Sequence, residues 1–194
     1  MRKLTVTTNV TLDGVMQAPG RPDEDLRDGF DRGGWAAPYD DAVMAQRMGE
    51  GMAATGSMLF GRRTYEDFYQ SWAHRTDGNP FTEMMNNVQK YVASSTLTEP
   101  LPWVNSTLLA GDAADAVAEL KKEPGLDIAV IGSGDLVQSL ARRGLVDQYT
   151  VLIHPLVIGS GRRLIPDGAP PANLRLVDGM ATDTGVIIAT YQPA

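Results

Sequence analysis

Ser57-Met58-Leu59-Phe60-Gly61-Arg62-Arg63-Thr64-Tyr65-Glu66-Asp67-Phe68 decides the fold: a short apolar run, a glycine, then helical spacing. An apolar run of this kind suits a strand buried on both faces of a parallel sheet. A second stretch repeats the plan: Asp127-Ile128-Ala129-Val130-Ile131-Gly132-Ser133-Gly134-Asp135-Leu136. Each run ends at a residue without Cβ, where an anion can approach the backbone, and opens a helix whose first N–H groups lack partners. Arg62, Arg63 and the Thr64 hydroxyl add charge and a donor beside the first junction. Two such junctions in one small domain point to a dinucleotide held at both phosphate ends.

Outward from these stretches, residues 2–10 read as the first strand, followed by a loop from Leu12 to Gly20. Residues 21–39 are rich in Gly, Pro and Asp and read as an irregular surface excursion, although Phe30 and Trp35 are too apolar for a free linker. Asp40 or Asp41 is placed to cap a helix reaching residue 53. The spacing then predicts a strand at 58–60, a helix at 64–69, and strands at 89–94 and 104–109. Asp112 should cap a helix that Pro124-Gly125 ends. A strand at 128–131, a helix at 135–143 closed by Gly144, and a strand at 148–153 follow. Residues 174–178 and 184–191 read as a closing antiparallel pair. The expected fold is therefore α/β: one domain spanning 1–194, with a central, mostly parallel mixed sheet, flanking helices and an antiparallel C-terminal hairpin. Ligands of such sheets sit at the carboxyl ends of the strands, where both glycine junctions lie.

With 194 residues and 43% hydrophobic content the chain can bury a sizeable core. Its net charge of -7 argues against nucleic acid or an anionic membrane as partner, while a local cationic pocket still admits a small anion. The absence of cysteine excludes disulfides, thiolate catalysis and cysteine-held metals, and two histidines are too few for a histidine-rich metal site. No metal is expected. The N-terminus alternates like a strand without a signal-peptide core, and no stretch approaches the ~20 apolar residues of a spanning helix, so a cytoplasmic protein is expected. The methionines around Met44, Met48, Met52 and Met58 read as core filling.

Phe60-Gly61-Arg62-Arg63-Thr64-Tyr65-Glu66 resembles the Gly-Arg-x-Thr-aromatic-Glu element of dihydrofolate reductases, with Tyr65 where that family commonly has Trp. Ile131-Gly132-Ser133-Gly134 resembles that fold's glycine-rich turn, and Val92-Ala93-Ser94-Ser95-Thr96 its serine-bearing strand end. The run Asp147-Gln148-Tyr149, with His154-Pro155 through Gly159-Ser160-Gly161-Arg162-Arg163-Leu164, is similar to the reductase domain of riboflavin biosynthesis and its bacterial relatives. The chain thus resembles the dihydrofolate reductase-like superfamily over nearly its whole length, and within it the RibD C-terminal domain.

That resemblance implies NADPH as cofactor. Arg62 or Arg63 would pair with the 2′-phosphate or a diphosphate oxygen, and Thr64, with the N–H groups after Gly61, would bind the diphosphate. Ser94, Ser95 and Thr96 would meet the adenosine end. Ile131, Gly132, Ser133, Gly134, Asp135 and Leu136 would lie against the diphosphate. Met16 would contact the nicotinamide, with the Thr8 and Asn9 backbone near its carboxamide. Asp13 would orient substrate or relay a proton; the reading preferred from the residues is that Asp13-Gly14 makes an ordinary turn whose carboxylate bonds nearby N–H groups. His154 would donate near the pocket or satisfy a backbone carbonyl. Gly159-Ser160-Gly161 would be a phosphate loop, a tight turn or a subunit contact.

Two departures bear on substrate. The helix before Gly61 carries Val43-Met44-Ala45-Gln46-Arg47 where dihydrofolate reductases carry an acidic residue, with Asp40 and Asp41 about one turn early. Ile131 stands where riboflavin-pathway reductases usually have Glu. The expected activity is NADPH-dependent hydride transfer to a small heterocycle or other C=N or C=O acceptor, with poor dihydrofolate turnover. The alternative is an NADP-binding sensor or assembly module with reduced catalysis. A homodimer is expected from the resemblance, through the apolar C-terminal strands and the 155–164 segment.

Overall fold

The computed structural model describes residues 1–194. Eight strands form one sheet in the order β4-β3-β2-β5-β1-β6-β8-β7. They are β1 (Leu4–Thr11), β2 (Thr55–Gly61), β3 (Gln89–Ala93), β4 (Ser106–Leu109), β5 (Asp127–Ile131), β6 (Gln148–His154), β7 (Leu174–Ala181) and β8 (Ile187–Pro193). The helices are α1 (Ala42–Ala53), α2 (Arg62–Trp72), α3 (Pro80–Asn87), α4 (Ala113–Lys122) and α5 (Gly134–Arg142). The α/β class, the mostly parallel sheet and the antiparallel closing pair are as the sequence led us to expect. The chain divides into two compact units, residues 1–5 with 51–146 and residues 6–50 with 147–194.

In the first unit β2 pairs in parallel with β3 on one side and β5 on the other, and β3 pairs in parallel with β4. Under β2 lies an aromatic and methionine core of Met58, Phe60, Tyr65, Met85, Val92 and Trp103, all nearly or fully enclosed. Tyr65, the residue in the family's Trp position, belongs to this core: its hydroxyl accepts the Trp103 N–H at 3.1 Å. Lys90 is enclosed as well. Its ammonium donates to the Met85 and Val88 carbonyls at 2.8 Å each and sits 4.6 Å from the Trp103 ring centroid, so it closes the end of α3. Asp112 caps α4 through the N–H groups of Ala114 and Asp115, a contact worth about 1 kcal/mol.

The structure adds α3, which no helical expectation covered. Asn79 caps it by accepting the Phe81 N–H, and Pro80 occupies the first turn, where a missing N–H costs nothing. It also lengthens the elements at the first junction: β2 and α2 meet directly at Gly61–Arg62.

In the second unit β8 runs antiparallel between β6 and β7. Asp41 caps α1 by accepting the Met44 N–H, and its other oxygen accepts the Thr184 N–H and hydroxyl. The excursion at 21–39 forms two single turns of 3-10 helix and otherwise irregular chain. Phe30 and Trp35 within it are buried against Val15, Ala18, Ala36 and Ile158, which explains their presence in a polar segment. Gly161 packs in the same cluster. With φ +124, a Cβ on Gly161 would stand 2.8 Å from both Phe30 and Val15, so only glycine lets the chain pass these side chains here.

Candidate functional site

Parallel register brings three strand ends together in the first unit. Ala93 lies opposite Gly61, and Leu59 opposite Val130, so the chain leaves β3, β2 and β5 side by side at Ser94, Gly61 and Gly132. Three predicted groups therefore share one edge: Ser94-Ser95-Thr96, Gly61 to Thr64, and Ile131 to Leu136.

The junction after β5 is the most constrained. Gly132 and Ser133 both adopt left-handed backbone, φ +62 and +53, and turn the chain abruptly into α5. A non-glycine residue held there carries a conformational cost of about 1–3 kcal/mol, which surrounding structure must offset. One offset is visible. Ser133 Oγ accepts the Gly61 N–H at 3.0 Å and ties the two junctions together. Gly132 stands beside Thr64: a Cβ on it would lie 3.5 Å from Thr64 Cγ2 and 3.7 Å from Oγ1. The absent methyl leaves open the space next to the Thr64 hydroxyl, which makes no hydrogen bond within the protein.

Neither helix start is capped by a side chain, for α2 begins after Gly61 and α5 after Ser133. Their first N–H groups and the positive ends of two peptide dipoles face this edge. Arg62 is half-exposed and paired with Glu66 one turn along at 2.9 Å; Arg63 is exposed. Ser94 turns its hydroxyl inward to accept the N–H groups of Thr96 and Leu97, leaving Ser95 and the Thr96 side chain exposed. Ile131 packs on the aromatic core, and Leu136 Cβ lies 3.8 Å from where a Gly61 Cβ would stand. Asp135 is exposed in the first turn of α5. Donors, two cations and a space that a single methyl would fill suit a phosphate-bearing group. No group of three or more His, Asp or Glu side chains is placed to hold a metal ion.

The second unit holds Asn9, Asp13, Met16 and His154. Asp13 accepts the Thr11 hydroxyl at 2.6 Å and the N–H groups of Ile158 and Gly159 at 3.2 and 2.8 Å. The Thr11 bond, with the two backbone donors, lowers its carboxyl to about 2. A group so strongly held as an anion neither gives nor takes a proton near neutrality; its geometry is that of a clamp between the 11–15 turn and the 155–159 segment. Met16, half-buried, donates its N–H to the Arg162 carbonyl at 2.8 Å. Asp41, bonded first to the Met44 N–H, is likewise lowered to about 2.

His154 departs from the backbone-carbonyl expectation. It bonds no backbone carbonyl; Nε2 lies 2.9 Å from the Asn9 side-chain oxygen. The partners are 145 residues apart, and no local pattern could have joined them. Ser133 as the tie between junctions was equally invisible, because its partner Gly61 lies 72 residues away.

With this geometry in hand, comparison with known proteins is informative. The family model described as RibD C-terminal domain matches residues 2–188. Among curated proteins, the uncharacterized protein YyaP of Bacillus subtilis (strain 168) is 27% identical over 198 residues, covering 98% of this chain and 94% of its own. A putative riboflavin biosynthesis protein from Shewanella sp. PV-4 shares the fold with TM-score 0.69 at 18% identity, over 99% of both chains. A pyrimidine reductase-like protein from Corynebacterium diphtheriae gives TM-score 0.62 at 12% identity, over 100% of this chain and 92% of that one. The diaminohydroxyphosphoribosylaminopyrimidine deaminase/5-amino-6-(5-phosphoribosylamino)uracil reductase of Thermotoga maritima gives TM-score 0.65 at 14% identity, this chain spanning 57% of its length. At these identities the solved structures establish the fold alone.

Proposed function

Because the chain belongs to the RibD C-terminal domain family, we propose that it is an NADPH-dependent reductase acting on a small heterocycle or other C=N or C=O substrate. The observation that carries this reading is the Gly132-Ser133 turn, held left-handed beside an unpartnered Thr64 hydroxyl and two uncapped helix starts. The N–H groups following Gly61 and Ser133, with the Thr64 hydroxyl, would hold the diphosphate. Arg62 or Arg63, with Ser95 and Thr96, would hold the 2′-phosphate through charge-assisted bonds. When bound, the reduced nicotinamide supplies the hydride.

Calorimetric titration with NADPH, NADH and 2′,5′-ADP at fixed salt tests the cradle before any substrate is known. NADPH should bind at least about tenfold more tightly than NADH, the margin for one hydrogen bond to a charged group. Equal affinities would refute the role given to the arginines.

A second reading, an NADP-binding sensor or assembly module without turnover, is favoured by a different observation. Asp13 and Asp41 are held near 2 and burial pushes His154 to about 4, so none of these groups exchanges a proton near neutrality. A reductase would then draw its proton from water. NADPH oxidation, followed by absorbance with a panel of pterins, flavin precursors and carbonyl compounds, separates the readings. Dihydrofolate should be among the poorest acceptors, because Val43-Met44-Ala45-Gln46-Arg47 stands where dihydrofolate reductases carry an acidic residue.

The exposure of β7 supports the homodimer reading. All eight of its residues are exposed, so neither face of this outer strand is covered, and Leu174, Leu176, Val177 and Met180 stand in water. A second copy of the chain is the occupant we assign to it.

A further inference from the structure

His154 is fully enclosed, with its ring edge-on to Trp35 at 5.2 Å and to Tyr39 at 5.5 Å between centroids. Its Nδ1 meets no polar atom. A phenylalanine would satisfy such packing, so the retained imidazole needs a polar reason, and Asn9 is its one polar contact.

Burial lowers the His154 pKa to about 4, so at neutral pH one ring nitrogen carries the single proton. Two arrangements fit the 2.9 Å contact. In one, Nε2–H donates to the Asn9 carbonyl oxygen and Nδ1 keeps a bare lone pair. In the other, the Asn9 amide donates to Nε2, and the proton sits on Nδ1 as a buried donor with no acceptor. Orphaned buried N–H groups are rarer than orphaned acceptors, which selects the first arrangement. The Asn9 oxygen is then occupied, and its NH2 group makes no hydrogen bond within the protein. Asn9 is half-buried near the carboxyl end of β1, and its carboxamide is oriented by an enclosed, uncharged neighbour. An uncharged donor of this kind suits an uncharged acceptor.

We propose that His154 is a positioning residue, holding the Asn9 carboxamide so that its NH2 group donates to a carbonyl or carboxamide oxygen on a ring-bearing ligand. The class of ligand rests on the reductase reading; the His154–Asn9 arrangement does not.

The test uses the full chain and nitrogen-resolved NMR. The His154 ring should carry its proton on Nε2 at neutral pH; a proton on Nδ1 overturns the proposal. Nicotinamide, uracil and pyridine are then titrated while the Asn9 side-chain resonances are followed. At least one carbonyl-bearing probe should shift them and pyridine should not; a response to nicotinamide assigns the acceptor to the cofactor's ring, and one to uracil assigns it to a substrate. His154→Leu should weaken that probe at least about fivefold, and His154→Gln, which can still donate to Asn9, should restore it to within about twofold. No response from either carbonyl probe, an unchanged affinity in His154→Leu, or a loss that His154→Gln leaves unrepaired would each refute the proposal. Should His154→Leu not fold, the proton position and the His154→Gln affinity decide. Titration with 2′,5′-ADP involves neither residue as argued above, so its failure would count against the reductase reading alone.

Discussion

Gly132→Ala and Gly144→Ala alter two glycines of nearly the same conformation, φ +62 and +64, at opposite ends of α5. Each new methyl forces a left-handed alanine, which costs about 1–2 kcal/mol. Their surroundings differ. At Gly144, the turn closing α5, a Cβ has nothing within 4 Å, whereas at Gly132 it enters the space beside the Thr64 hydroxyl at 3.7 Å from Oγ1. That separation is an ordinary contact, so the fold should absorb both changes equally. Urea denaturation should give losses of about 1–2 kcal/mol for each variant, alike within error. NADPH binding should part them. If the methyl displaces one phosphate oxygen from its donors, the loss is about 1.5–3 kcal/mol, or about 10- to 150-fold in affinity. Gly144→Ala should bind as wild type does. Equal affinity in the two variants, with both folded, would remove the phosphate role from the β5 turn.

Asp13→Asn should destabilise the protein by about 1 kcal/mol at neutral pH, because an amide replaces a carboxylate that accepts two backbone N–H groups and the Thr11 hydroxyl. Since the folded pKa lies near 2 and below its ordinary value of 3.8, the wild-type contribution is present above 3.8 and lost as pH falls through 2; the variant's acid-denaturation profile should be flatter there. Burial lowers Lys90 from 10.5 to about 8, so between these values the unfolded chain binds more protons and stability attributable to Lys90 should rise with pH. Urea midpoints from pH 7.5 to 10, in roughly half-unit steps, should show a wild-type slope that Lys90→Met lacks. Leu176, 57% exposed on β7, should be replaceable by Asp without loss of fold. Light scattering should then find dimer in wild type and monomer in Leu176→Asp; monomer in both would cancel the assignment of a second copy.

The two strand–glycine–helix junctions were legible because their signal is local: an apolar run, a residue without Cβ and a helix opening lie consecutively at Gly61 and again at Gly132. The α4 and α1 caps were legible for the same reason, Asp112 and Asp41 each standing just before the first turn they satisfy. α3 lay outside the sequence reading although Asn79-Pro80 is a helix-start signal: its eight residues follow a polar stretch and carry few apolar positions. What the sequence withheld was long-range. Lys90 reads as an exposed cation in an alternating strand and is enclosed only because Trp103 and the end of α3 come to it. The 21–39 excursion has no period, and its order comes from Phe30 and Trp35 finding Val15 and Ile158.

The Arg62–Glu66 pair carries a consequence of a different kind. An anion bound at the start of α2, as proposed, would meet a guanidinium whose counter-ion is already part of the chain. It must displace Glu66 rather than dissolved chloride, so part of the exchange is internal and independent of ionic strength. A half-exposed pair of this type contributes at most about 1 kcal/mol, so the displacement is cheap. Glu66 would thereby act as a weak, tethered competitor that an arriving anion has to displace. Affinity at this site should therefore fall less steeply with added salt than at an arginine standing alone.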